Sequence, residues 1–90
     1  MYKQMNAALV EFFGTALLLS AVAFTGDGLM VVAALAAAIA LGGKVSGGYF
    51  NPAITLLQYA SGKIGQQRAL MYVGAQIVAA VAVFGVSKVL

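Results

Sequence analysis

The chain has no cysteine and no histidine, and only two acidic residues, Glu11 and Asp27, in 90 positions. Without cysteine there is no disulfide framework, and without histidine as well the common zinc ligand sets are gone. Two acids leave no nucleophile–base pair and no metal cluster to build an enzyme on, so no cofactor is implied. The five basic residues give a net charge of +3. They are scattered, with no run or stripe of the kind a nucleic-acid partner requires. Charged residues are only 8% of the chain, which is too few to cover the large relative surface of a small soluble domain.

What fills the chain instead is apolar. Hydrophobic residues make up 63% and the mean hydropathy is +1.02. Long apolar runs joined by short polar breaks place it in a lipid bilayer. The first run covers about residues 5–24. Its length, about 30 Å as a helix, fits one hydrocarbon core, and Glu11 within it argues against a cleaved signal peptide. Thr25-Gly26-Asp27-Gly28 forms a turn. A second run covers about 29–43, slightly short for a span, and a third about 67–89.

Between the second and third runs lies a different kind of segment, about 44–61. Lys44 to Phe50 is polar and glycine-rich. Asn51 is a good helix N-cap, and Pro52, the one proline, suits the first helical position. The helix they start ends at Ser61-Gly62 and is about 15 Å long, half a bilayer. Such a half-helix with irregular backbone before it cannot face lipid, where each unpaired N–H or C=O costs several kcal/mol. It belongs inside protein or beside a water-filled path. The predicted fold is therefore an all-α membrane protein of three transmembrane helices plus one re-entrant half-helix. With the N-terminus cytoplasmic, Lys3, Lys44, Lys63 and Arg68 fall on the cytoplasmic side and Lys88 alone outside, which satisfies the positive-inside rule and puts the C-terminus outside.

The eleven residues Ser46-Gly47-Gly48-Tyr49-Phe50-Asn51-Pro52-Ala53-Ile54-Thr55-Leu56 closely resemble the first NPA box of the aquaporin and glycerol-facilitator, or major intrinsic protein, family, which typically reads SGGHFNPAVTL. Glu11-Phe12-Phe13-Gly14-Thr15 is similar to that family's first-helix motif. Tyr72 and Gln76 stand where its third helix often has an aromatic residue and a glutamine. The resemblance covers nearly the whole chain and keeps the order of elements. It implies a passive cell-membrane channel for water and small neutral solutes such as glycerol. Asn51, Pro52 and Ala53 would form the pore tip, and Gly47, Gly48, Tyr49 and Phe50 would present backbone carbonyls along it. Glu11 is implied to be a structural acid that accepts hydrogen bonds from the re-entrant backbone. Gln76 is expected to be an inter-helix hydrogen bonder, and Tyr72 to pack rather than line a pore.

Physical chemistry supports the same roles. Asn51 capping through its side-chain oxygen leaves its amide NH₂ to donate to a passing oxygen. The helix N-terminus adds about half a positive charge, which orients water and opposes cations. Ala33, Ala37, Ala75 and Ala79 give small-xxx-small spacing for close helix packing.

Departures from the family pattern are equally informative. Family members have two such repeats, inverted relative to each other. This chain carries one, so a pore requires an inverted second copy in a homo-oligomer or a second-repeat partner. The residue after Ala53 is Ile54, not the arginine many second repeats carry there. Tyr49 replaces the usual histidine, and Val31 is the expected constriction residue where water-selective members often have a ring. A wider, less polar constriction that admits glycerol as well as water follows. A different class of function also has to be weighed: a small proton-coupled multidrug transporter working as an inverted dimer, with Glu11 as the coupling acid.

Overall fold

The computed structural model describes residues 2–90. These form four α-helices in the order α1 (Tyr2–Phe24), α2 (Gly28–Ser46), α3 (Pro52–Ala60) and α4 (Gln66–Val89). Helices α1, α2 and α4 are each long and apolar enough to cross a membrane. The fold extends 37 Å along its longest axis, comparable to a bilayer with part of its headgroup layers. Helix α1 is central, with α2 against one side of it and α4 against another, and α3 packs on α4.

The interior is inverted relative to a water-soluble protein. Large apolar side chains such as Leu29, Val32, Leu41, Val81 and Phe84 point outward. Most buried positions are small (Ala7, Ala38, Ala69, Ala79) or polar (Glu11, Thr15, Ser46, Thr55, Gln76), with Phe50, Tyr72 and Val83 the larger side chains among them. In lipid no hydrophobic force separates the two sets, so small side chains that allow close approach and polar groups that find partners settle inside.

Helix α2 differs from the sequence expectation in extent. It continues through Lys44, Val45 and Ser46 and gives 19 residues, about 28 Å, a full crossing rather than a short one. The polarity of Lys44 does not end the helix, because a lysine in the last turn favours the carbonyl end of the helix dipole. Gly47 ends it, with φ 94° and its N–H donated to the Gly43 carbonyl. At the other end Asp27 caps α2 by accepting from the N–H groups of Leu29 (2.8 Å) and Met30 (3.3 Å). The packing stripe of α2 also differs. Ala33 and Ala37 are exposed, and Ala38 and Gly42 face α1 instead. A Cβ on Gly42 would lie 2.3 Å from Val10 Cγ1, so the α1–α2 approach requires glycine there.

Candidate functional site

The polar interior converges on Glu11, which is wholly buried on the third turn of α1. Four donors reach its two oxygens. Ser46 Oγ, at the end of α2, donates to Oε2 at 2.7 Å, and the Tyr49 N–H donates to the same oxygen at 3.1 Å. The Phe50 N–H donates to Oε1 at 2.7 Å, and Gln76 Nε2, from α4, donates to it at 2.8 Å. A carboxylate is an acceptor at both oxygens, and it matches this all-donor surround. The segment between α2 and α3 thus hangs from α1 through its own backbone.

That segment has to turn sharply to present its N–H groups. Gly47 and Gly48 take φ 94° and 70°, where glycine has no steric penalty. Phe50 takes φ 52°, which is strained for a residue with a side chain, by about 1–3 kcal/mol. Two contacts hold it there: the bond to Glu11, and its ring, buried against Gly14 of α1. A Cβ at Gly14 would lie 2.1 Å from Phe50 Cε1, so the ring occupies the space a side chain would fill.

A second layer braces the first. Ser46 Oγ accepts from the Gly48 N–H at 3.1 Å while donating to Glu11, and the Tyr72 hydroxyl donates to the Ser46 carbonyl. The Tyr72 ring meets the Tyr49 ring edge-on at 5.5 Å, and Arg68 lies 5.9 Å over the Tyr72 ring. Gln76 Nε2 also donates to Thr55 Oγ1 at 2.9 Å, and Thr55 Oγ1 donates to the Asn51 carbonyl at 3.0 Å. Glu11, Ser46, Gln76, Thr55 and Tyr72 therefore tie all four helices to one loop.

With its N–H groups committed inward, the loop leaves other groups free. Among the described residues, no hydrogen bond reaches the carbonyl oxygens of Gly47, Gly48, Tyr49 or Phe50. Asn51 caps α3 through Oδ1, which accepts from the Ala53 N–H at 2.7 Å, and Pro52 takes the first helical position. The Asn51 amide NH₂ has no protein partner among the described residues, and Asn51, Pro52 and Ala53 are exposed. Val31 sits apart from this cluster, half-buried on the second turn of α2.

The buried residues around Glu11 and its loop include ones that sequence reasoning alone does not single out. Ser46 and Thr55 lie inside the recognised box but were given no part, and Gly14 and Thr15 lie in the first-helix motif. One local signal was available: Thr55 follows Asn51 by four residues, the spacing at which a threonine hydroxyl bonds back to a helix carbonyl. Among the described residues, no group of three or more His, Cys, Asp or Glu is placed to hold a metal ion.

Comparison with known proteins closes the question of family. The family model for the major intrinsic protein matches residues 1–90. The chain belongs to the major intrinsic protein family. Its members are membrane channels, not enzymes. The chain is 39% identical over 77 residues to probable aquaporin TIP4-1 of Oryza sativa subsp. japonica, covering 83% of this chain and 29% of that protein. It is 46% identical over 59 residues to aquaporin-5 of Homo sapiens, covering 59% of this chain and 22% of the relative. For aquaporin-5 of Mus musculus the figures are 50% over 44 residues, 49% and 17%. The matched segment is thus less than a third of the length of each of these relatives. No solved structure matches the chain significantly.

Proposed function

We propose that residues 1–90 form one aquaporin-like repeat, half of a passive channel for water and small neutral solutes such as glycerol. An inverted copy of the chain or a second repeat completes the pore. The observation that carries this reading is the division of the loop's polar groups. The N–H groups of Tyr49 and Phe50 turn inward to Glu11, while four loop carbonyls accept no hydrogen bond among the described residues and the exposed Asn51 keeps its amide NH₂ free at the tip of a half-helix. Acceptors along one wall and donors at the tip suit a chain of water molecules or the hydroxyls of a polyol.

Several further facts support it. Helix α3 leaves Ile54, Leu56 and Leu57 exposed beside open backbone, a surface that lipid does not tolerate and a protein partner covers. Named aquaporins among the relatives favour water as a permeant. Gln4, near the start of α1, lines the same surface depression as Lys63 and Arg68. The basic residues of those two segments gather at one end, which under the positive-inside rule is cytoplasmic. Val31, on the wall of α2, is aliphatic, and Ile54 follows Ala53, so a pore of identical copies has a wide and weakly polar constriction. The coupled-transporter reading requires Glu11 to exchange protons with solution. Its complete burial among four donors favours the structural role instead.

Stopped-flow light scattering on proteoliposomes tests the reading. Both water and glycerol are expected to equilibrate faster than in protein-free vesicles, without dissipation of a proton gradient. Fast water with no glycerol flux contradicts the wide constriction, and uptake driven by a proton gradient contradicts the channel.

A further inference from the structure

Among the described residues, two buried side-chain atoms have no protein partner: Thr15 Oγ1 on α1 and Gln76 Oε1 on α4. Both residues are 2% exposed. A buried polar atom with no partner is destabilising, and the great majority in folded proteins have one. The orientation of the Gln76 amide is fixed by chemistry. Its nitrogen lies 2.8 Å from a carboxylate oxygen, which only accepts, and 2.9 Å from Thr55 Oγ1, whose hydrogen is directed at the Asn51 carbonyl. The nitrogen therefore faces Glu11, and the orphaned atom is the carbonyl oxygen. Thr15 follows Glu11 by four residues and so shares its face of α1, one turn further along. Helix α1 packs on α4, where Ala79, three residues after Gln76, is wholly buried. Both unpartnered atoms thus lie in one interface, beside Glu11, among small side chains.

We propose that Thr15 Oγ1 and Gln76 Oε1 hold a resident water molecule between α1 and α4. The water donates one hydrogen to Gln76 Oε1 and bonds the Thr15 hydroxyl. It supplies the bridge that two polar groups too far apart for a direct bond accept readily. Its partners are Thr15 and Gln76, both buried, and none of the loop's carbonyls, so it is a structural water and not a permeant. Thr15 then acts as a positioning residue. Through the water it steadies Gln76, Gln76 steadies Glu11, and Glu11 holds the loop. This assignment is independent of what the chain conducts.

Thr15→Val tests it, because the two possibilities have opposite signs. Where a water satisfies the hydroxyl, the valine leaves that water and Gln76 Oε1 without a partner. The purified protein then melts at least about 4 °C lower. Where the hydroxyl is dry and unpartnered, valine removes a buried penalty and the melting temperature stays level or rises. Thr15→Ser keeps the hydroxyl and is expected to melt close to the unsubstituted chain. Solid-state NMR on the unsubstituted protein in lipid gives a second readout that needs no variant to fold. A resident water passes magnetisation to the Gln76 side-chain NH₂ signals. Absence of that transfer, or an unchanged or raised melting temperature for Thr15→Val, overturns the proposal.

Discussion

Glu11→Leu is expected to abolish the folded re-entrant loop. Leucine nearly conserves the volume and removes both acceptors, leaving the Tyr49 and Phe50 N–H groups, Ser46 Oγ and Gln76 Nε2 without their partner. A buried donor left unpaired costs about 1–3 kcal/mol, so the three buried ones, Ser46 Oγ, the Phe50 N–H and Gln76 Nε2, amount to about 3 kcal/mol at the low end. That is most of the margin of a domain whose whole stability is about 5 kcal/mol, the low end of the usual range. Phe50 would also lose the bond that offsets its left-handed backbone. Glu11→Gln is the finer instrument. The amide keeps one acceptor oxygen and turns an NH₂ group toward donors at the other, so a loss of about 2 kcal/mol or more is expected. Thermal unfolding in detergent measures both variants, with solute flux measured alongside. A coupling acid behaves in the opposite way: Glu11→Gln would then melt like the unsubstituted chain and lose only proton-driven transport. Unchanged melting for Glu11→Gln would remove the carboxylate from its place at the centre of the fold.

Asn51→Asp is expected to separate folding from permeation. Aspartate is as good an N-cap as asparagine, so the bond to the Ala53 N–H survives and α3 still starts at Pro52. What disappears is the free amide NH₂, the donor that faces outward. A negative charge takes its place beside the positive end of α3. Water flux is expected to fall about tenfold, the effect of roughly 1.4 kcal/mol on a barrier, and cation leak to rise. Melting temperature stays within a few degrees. Asn51→Ala gives the complement: it loses the cap as well, about 1 kcal/mol, and so lowers both stability and flux. Water flux unchanged in Asn51→Asp would show that the amide does not meet the permeant.

The parts of this fold that were legible in the sequence are those written in local chemistry. Asn51 before Pro52 marks a helix start whatever surrounds it, and apolar runs of bilayer length mark spans. Where the sequence misled, tertiary contacts had decided among equivalent local choices. Helix α2 is apolar on every side, so small residues offer several packing stripes. The stripe that packs is Ala38 and Gly42 rather than Ala33 and Ala37, with Val10 of α1 seated over Gly42. Lys44 looked like the end of the span, but the capping residue is Gly47. The role given to Glu11 came through family resemblance. Its particular partners, Ser46 and Gln76, are 35 and 65 residues away, beyond any local pattern. A left-handed phenylalanine at position 50 has no sequence signal at all. It exists because Gly14 makes room for its ring and Glu11 receives its N–H.

In the proposed half-channel the tip of α3 sits at the middle of the membrane, and the chain is well suited to measuring that. It contains no cysteine, so Ala53→Cys, exposed at the tip, takes a single spin label. Pulsed electron paramagnetic resonance then measures distances from the label to spin-bearing lipid headgroups in each leaflet. Nearly equal shortest distances to the two leaflets are expected, each about 15 Å or more, half the hydrocarbon thickness. A label in contact with the headgroups of one leaflet would contradict it.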